Sequence, residues 1–417
     1  MQPLTLIFLL AVLGGTATRL WLSSRQIGAV TRHRGQVPEP FTQTISSADH
    51  HKAADYATAR TRLGRIDTVL DALVLLGLTL GGGIRAIDQL WRHAGLPEPW
   101  HGALVILSVL LVVAVIGLPL SLWSTFKLEA RFGFNRTTFA LFLMDRLKGL
   151  ALGLLIGGPL LIAALELMRH AGVLWWLYVW ALWLGVSLVM TWAWPALIAP
   201  LFNRFSPLTD ESLRTRIETL LARCGFASRG VFVIDGSRRS AHGNAYFTGV
   251  GRNKRIVFFD TLITTLEPGE IEAVLAHELG HFKLHHIRRR LVISAVLSLA
   301  GLALLGWLAA RPWFYSGLGL AGASNYGALL LFMFAAPAFT FFVTPLAASR
   351  SRRDEFAADA FAAQHTPAAA LMAALVKLYR DNATTLTPDR LHSWFYDSHP
   401  PAPVRIARLR ELTDPNH

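Results

Sequence analysis

The sequence predicts a mainly α-helical membrane protein that crosses the bilayer seven times and carries a smaller α/β unit outside it. Composition is the first reason, because 53% of the 417 residues are hydrophobic and 16% are charged, whereas soluble domains average about 25% charged residues. The second reason is a set of seven apolar stretches, each near the length of about 20 residues that a spanning helix needs. The third is the region 199–290, which interrupts this apolar pattern with alternating helix-like and strand-like segments.

The seven predicted spans follow from hydropathy and length alone. An α-helix rises about 1.5 Å per residue, so each stretch can cross a hydrocarbon core of about 30 Å. The predicted limits are 4–22, 66–84, 103–123, 150–168, 173–198, 291–309 and 327–347.

Basic residues are distributed unevenly among the segments that join these spans. Segments 23–65, 124–149, 199–290 and 348–417 hold 35 of the 40 lysines and arginines, and the alternate loops hold 4. Since cytoplasmic loops carry an excess of Lys and Arg, we expect the N-terminus outside and the C-terminus in the cytoplasm. The pattern indicates a multi-pass protein of the cell (inner) membrane. It also accounts for the net charge of +13 without a nucleic-acid partner.

The large loop 199–290 has the pattern of a small α/β unit on the cytoplasmic side. Helical periodicity covers 210–224, and the β-branched and aromatic runs at 231–235 and 255–260 predict strands. Residues 244–248 are a third candidate strand. The tail is predicted to be helical over 352–364 and 367–379.

The segment 276–285, AHELGHFKLH, contains the pattern H-E-x-x-H with His277, Glu278 and His281. Residues four apart share one face of a helix, so the two imidazoles can bind one Zn²⁺ ion. Glu278 lies one residue round the helix, where it can accept a proton from an attacking water. Pro268 suits the first helical turn. A shifted pair, His281 with His285, has the same spacing but lacks a suitable glutamate. The motif predicts one zinc ion per chain.

A catalytic zinc ion needs a third protein ligand, and the hairpin of the last two spans predicts where it lies. If the motif helix continues, His281 lies about 15 Å from the sixth span. The seventh span returns antiparallel, so the residues that follow it begin nearby. We predict Glu355 as the third ligand and Asp359, on the same helical face, as the hydrogen-bond partner of a ligating imidazole. Asp354 is a rival ligand, without a carboxylate four residues on.

Four further residues are candidates for contact with a substrate. Asn244 and Ala245 lie in a short strand that either pairs with an extended peptide or is an ordinary hairpin strand. His399 precedes two prolines, which favour an extended backbone; its imidazole either stabilises a developing oxyanion or is structural. Arg405 can act on the oxyanion too, or pair with a carboxylate.

Together these residues resemble the type I CAAX prenyl endopeptidases, which are integral-membrane zinc metalloproteases of the gluzincin kind. The resemblance rests on seven spans, on HELGH at 277–281 and on EFAADAFA at 355–362 after the membrane hairpin. A related heat-shock-type membrane metalloprotease family shares the zinc motifs, but its chains are shorter and have fewer spans. Three more segments resemble CAAX protease motifs: RFGFN at 131–135, HGNAYFTG at 242–249 and SHPPAPVRI at 398–406.

The resemblance implies a zincin-like catalytic unit, cleavage of peptides with a prenylated C-terminal CAAX sequence, and a large water-filled chamber enclosed by the membrane helices. It implies these roles: His277, His281 and Glu355 as zinc ligands, Glu278 as base, Asp359 as support, His399 as a further catalytic residue, and Asn244, Ala245 and Arg405 as substrate-binding residues. The chain then divides into spans 1–5 with their loops (1–198), the catalytic region (199–290), spans 6 and 7 (291–347) and the tail with the third ligand (348–417).

Other functions are compatible with parts of the pattern. A broad protease for membrane or damaged proteins would use the same zinc site on other substrates. A metal-regulated transporter or channel would fit seven spans, but the sequence shows no internal repeat of the kind many transporters have. Neither a serine nor a cysteine nucleophile is favoured, because Ser240 lacks a G-x-S-x-G context and Cys224 has no neighbouring histidine.

Overall fold

The fold is taken from a computed structural model that describes residues 2–39, 41–226, 230–248 and 255–412. Gly249, the last residue of the HGNAYFTG segment, lies outside these ranges. Over the described residues the chain is mainly helical, as the sequence predicts. Long helices form a membrane region, and one mixed sheet lies in the α/β unit that carries the H-E-x-x-H helix.

Long apolar helices make up the N-terminal half. Several continue through π-helical turns, at Ser124–Glu129, Gly153–Gly157 and Trp194–Ile198. Pro195 lies in the last of these, and because proline has no N–H it cannot continue regular α-helical hydrogen bonding. The helices are α1 (Pro3–Arg32), α2 (Ser47–Leu78), α3 (Gly83–Arg92), α4 (Trp100–Trp123), α5 (Phe139–Leu152), α6 (Gly158–His170), α7 (Trp175–Ala193) and α8 (Ala199–Phe202).

The α/β unit follows and, over the part of the chain that the structure describes, is built on a four-stranded sheet. Its strand order is β1-β2-β4-β3, with β2 and β4 parallel and both outer pairs antiparallel. Leucine and isoleucine side chains of α9 and α11 pack against the inner strands β2 and β4 to form a buried core. The elements are β1 (Phe205–Pro207), α9 (Glu211–Arg223), β2 (Val231–Ile234), β3 (Ala245–Thr248), β4 (Arg255–Phe259), α10 (Asp260–Thr265) and α11 (Pro268–Lys283).

The C-terminal half returns to the membrane region and then completes the α/β unit. Its helices are α12 (His286–Ala309), α13 (Pro312–Gly317), α14 (Asn325–Thr340), α15 (Thr344–His365), α16 (Ala368–Asp381), α17 (Arg390–Tyr396) and α18 (Ala402–Glu411). The expectation that the motif helix continues into the sixth span is wrong. Helix α11 ends at Lys283, and His285, with φ 58°, turns the chain before α12 begins.

The predicted spans agree with the helices. Within the described residues, six helical segments are long and apolar enough to cross a membrane, and a seventh is obtained when α2 and α3, bent by 49°, are taken as one broken span. Each predicted stretch falls within one of these seven segments. Among the described residues, sequence patterns missed short elements such as β1, α10 and α17, and also the helical extensions of two spans, 47–65 of α2 and 139–149 of α5. Short segments have too little periodicity to be recognised.

Candidate active site

The site is organised by the contact between α11 and α15. Helix α11 begins at Pro268 with a capping box, in which Glu270 accepts a hydrogen bond from the Glu267 N–H at 2.8 Å. Gly280, inside the H-E-x-x-H motif, allows the two helices to approach closely. A Cβ atom at Gly280 would lie 3.0 Å from the Ala358 Cα atom. The missing side chain therefore brings the histidine face of α11 against the acidic face of α15.

Three side chains present ligand atoms at this contact. His277 Nε2 lies 3.3 Å from His281 Nε2 and 3.4 Å from Glu355 Oε2, and His281 Nε2 lies 3.3 Å from Glu355 Oε1. Two ligands of a tetrahedral zinc ion bound at 2.0–2.1 Å are separated by about 3.3 Å. Glu355 Oε2 is buried without a hydrogen bond of normal geometry, although His399 Nδ1 lies 2.7 Å away. The donor set and its spacing therefore fit a zinc ion.

Asp359, buried and paired with Arg405, contacts the His277 ring at Nδ1, the nitrogen that does not face the other ligand atoms. Asp359 Oδ1 accepts a hydrogen bond from His277 Nδ1 at 2.8 Å, which leaves Nε2 pointing at the other ligand atoms. Arg405 donates to both oxygens of Asp359, at 2.9 and 2.5 Å. Burial would lower the pKa of His277, but hydrogen bonds to Asp359 and Glu355 outweigh it and raise that pKa to about 9. Burial also opposes the charge of Arg405, yet Asp359 raises its pKa above the ordinary value.

His281 has a different partner, which the sequence patterns did not reveal. Its Nδ1 atom lies 3.0 Å from Nδ1 of His286, a buried residue at the start of α12. The turn at His285 makes this possible, because it places His286 beside the motif helix. A shifted site on His281 and His285 is excluded, since α11 ends before His285 and the two do not share a helical face.

The rival ligand Asp354 lies apart from the three ligand atoms. Its carboxylate pairs with Arg289 and is 4.0 Å from His286 Nε2. Since Asp354 is already paired with an arginine, Glu355 is the acid of α15 that faces both motif histidines.

A cavity of about 350 Å³ adjoins the ligand cluster. Glu278 lines it together with His277, so the predicted base faces open space next to the ligands. Asn244 and Ala245 also line it, and β3, to which Ala245 belongs, is an outer strand of the sheet among the described residues. Strand β3 is thus paired with β4 on one side and is free of strand partners on the other among the described residues. The cavity can therefore hold a peptide between an open strand edge and Glu278.

The remaining candidates, His399 and Arg405, line the same cavity but differ in exposure and in their partners. His399 is 62% exposed at its side chain and lies beside Glu355. Arg405 is 5% exposed and forked on Asp359, so of its two expected roles the structure shows the carboxylate pair. Tyr379, which sequence patterns missed, also lines the cavity, and burial raises its pKa to about 12. Its hydroxyl donates to the Pro400 carbonyl at 3.2 Å and so fixes the loop that carries His399.

A bundle of membrane helices with an H-E-x-x-H helix and a glutamate from a second helix is the architecture of a membrane metalloprotease. The chain belongs to peptidase family M48, which matches residues 207–413. Residues 26–204 match the domain described as "CAAX prenyl protease N-terminal, five membrane helices". These two matches cover nearly the whole chain. They establish a multi-pass membrane metalloprotease and favour it over the transporter or channel that seven spans alone would allow.

Individual relatives agree with this assignment. The chain is 38% identical over 389 residues to the CAAX prenyl protease 1 homolog of Arabidopsis thaliana, with 90% of each chain covered. It is 32% identical to CAAX prenyl protease 1 of Saccharomyces cerevisiae, covering 91% of this chain and 89% of that one. The crystal structure of S. mikatae Ste24p superposes with a TM-score of 0.89 at 28% identity, covering 98% and 99% of the two chains.

Proposed function

We propose that this protein is a zinc endopeptidase of the membrane that cleaves CAAX-type peptides with a prenylated C-terminus. The observation that carries the proposal is the set of three ligand atoms, 3.3 to 3.4 Å apart, beside a cavity lined by Glu278. We assign one zinc ion per chain to His277, His281 and Glu355. The active site is placed on the cytoplasmic side, with the N-terminus outside, because the basic loops adjoin it.

The roles of the chain's residues follow from their positions. When bound, the zinc ion supplies a Lewis acid that polarises the scissile carbonyl and makes a water more acidic. Glu278 accepts the proton of the attacking water and passes it to the leaving amine. His399, exposed beside Glu355, donates a hydrogen bond to the developing oxyanion. Asp359 and Arg405 hold the His277 ring in the orientation that presents Nε2.

The open edge at Asn244 and Ala245 is the proposed peptide-binding element. An extended peptide adds to such an edge through backbone hydrogen bonds, which align the scissile bond but select side chains weakly. Arg405 lines the same cavity while it pairs with Asp359, and we assign it to substrate binding as well. The catalytic unit in this view combines residues from 199–290 with residues from the tail 348–417, and the two last spans join them.

The substrate class comes from the relatives, several of which are named CAAX prenyl protease 1. A broad membrane-protein protease with the same chemistry is the alternative, because backbone pairing at a strand edge tolerates many sequences. The two are separated by offering the purified protein a farnesylated CAAX peptide and the same peptide without the lipid. Preferential cleavage of the prenylated peptide supports the proposal, and equal cleavage of both favours the broad protease.

The chemistry is tested by Glu278→Gln. We expect this variant to keep one zinc per chain and to lose cleavage by about 10²- to 10⁴-fold, the usual contribution of a general base. Glu272→Gln is the matched control. It lies on the same helix, but its carboxylate pairs with Arg216 and Arg223, away from the cavity. Cleavage at the normal rate by the Glu278 variant would show that the base is assigned wrongly.

A further inference from the structure

Two motifs found in the sequence have no part in the proposed cleavage chemistry, and the structure joins them. The RFGFN segment 131–135 follows the π-helical turn after α4, in the loop that leads to α5. The segment 239–242 ends two residues before Asn244, which lines the cavity with Ala245. Asn135 forms a β-bridge with Ser240, the Ala241 N–H donates to the Phe134 carbonyl at 3.1 Å, and the Arg136 N–H donates to the Arg239 carbonyl at 3.1 Å.

A ring stack reinforces this backbone contact. Phe134, 2% exposed, lies against the His242 imidazole with ring centroids 4.4 Å apart and planes inclined by 24°. Tyr56 of α2 packs on Phe134 at 4.9 Å, and its hydroxyl donates to Glu129 at 2.7 Å. The loop between α4 and α5 therefore packs a buried aromatic ring, itself held by Tyr56, against one face of His242.

His242 is connected in turn to the cavity. One ring nitrogen, Nδ1, lies 3.0 Å from Asn382 Oδ1, and Asn382 lines the cavity. The His242 carbonyl accepts a hydrogen bond from the Thr261 hydroxyl at 3.0 Å. Two residues further, the Asn244 carbonyl accepts from the Phe259 N–H at 2.9 Å. The chain is therefore fixed on both sides of Gly243. Before it, His242 packs on Phe134; after it, Asn244 is hydrogen-bonded to strand β4.

We propose that Phe134, with the backbone of residues 134–136, positions the strand edge at Asn244 and Ala245 for peptide binding. Phe134 acts through His242 and touches neither the ligand cluster nor Glu278 in any contact among the described residues. This inference rests on the proposed function in one respect, since it assumes that the edge binds peptide. It makes the loop between α4 and α5 a determinant of substrate affinity, separate from the metal site.

The test measures peptide binding and cleavage separately, with the full-length protein in detergent. His242→Ala and Phe134→Ala are compared with Phe132→Ala, a ring of the same loop that packs on Tyr56 at 5.1 Å but not on His242. We expect the first two to raise KM about tenfold, the effect of losing one or two backbone hydrogen bonds, with kcat and zinc content unchanged. Phe132→Ala should leave all three quantities unchanged.

The same substitutions are then made in the Glu278→Gln background, where the Kd for a fluorescent CAAX peptide reports binding without chemistry. A tenfold rise in Kd for the His242 variant supports the inference even if the parent protein fails to cleave, an outcome that would overturn only the proposed function. His242 is one-third exposed at its side chain, so its variant decides the matter if Phe134→Ala does not fold. Unchanged Kd and KM, loss of zinc in parallel, or no peptide binding by the parent would overturn the inference.

Discussion

Replacing Asp359 tests how the zinc site is supported. Asp359 is 2% exposed, accepts from His277 Nδ1 at 2.8 Å and receives both hydrogen bonds of the Arg405 fork. Asp359→Asn keeps the shape and one acceptor oxygen but removes the charge. Partners that orient a ligating histidine contribute about 10- to 100-fold to metal affinity. We therefore expect Asp359→Asn to weaken zinc binding by that factor while the protein remains folded.

Asp359→Ala should have a larger effect, because it leaves the Arg405 cation buried without its carboxylate. Breaking one partner of a buried ion pair costs about 3–5 kcal/mol, a large share of a net stability of about 5–15 kcal/mol. The double variant Asp359→Ala with Arg405→Met removes both charges. It should be more stable than Asp359→Ala alone, and it should still bind zinc more weakly than the parent.

Zinc affinity is measured by competition with a chromophoric chelator, and stability by thermal unfolding in detergent. Asp389→Asn is the control, because Asp389 is also buried and paired, with Arg25, but lies at the start of α17 away from the ligands. It should lower the unfolding temperature without changing zinc affinity. If Asp359→Asn and Asp389→Asn bind zinc equally well, Asp359 does not orient His277 and the support argument is refuted.

Three further predictions concern the same cluster. Gly280→Val places side-chain atoms where a Cβ would already be 3.0 Å from Ala358; separating α11 from α15 should abolish stoichiometric zinc, measured by atomic absorption. His286→Phe removes the partner of His281 at 3.0 Å and should weaken zinc binding about tenfold by chelator competition. Because the pKa of His277 is about 9 in the metal-free protein, zinc displaces one proton below that pH. Its affinity should rise about tenfold per pH unit between about pH 7 and pH 9 and then level off.

Local patterns in the sequence were sufficient to predict many of the residues that meet at this site. The i, i+4 spacing of His277 and His281 depends only on helix geometry. Glu355 was reachable because the spans formed by α12 and α14 make an antiparallel hairpin and α15 continues α14 almost directly, which returns the chain to the motif helix. Apolar length alone located the membrane helices. Each of these predictions uses neighbours in sequence or a single reversal of the chain.

The interactions that were missed join residues that are distant in sequence or depend on one backbone angle. The sequence left Arg405 between two roles and did not identify Asp359, 46 residues away, as its carboxylate partner. The contact of Phe134 with His242, between the two halves of the chain, was missed altogether. Nothing in the sequence marks His285 as the turn residue, since a positive φ is ordinarily supplied by glycine. Because the chain turns at His285, His286 and not His285 lies beside Nδ1 of His281.

These differences explain how the parts of the site depend on one another. The motif helix carries two of the proposed ligands and the proposed base, and Gly280 permits its close contact with α15 at Ala358. The third proposed ligand lies on α15, in a helical segment that continues from the last membrane span, and the proposed peptide edge is contacted through His242 by Phe134 of the loop between α4 and α5. In the proposed function, the loop 199–290 therefore obtains its third ligand and the support of its peptide edge from other parts of the chain.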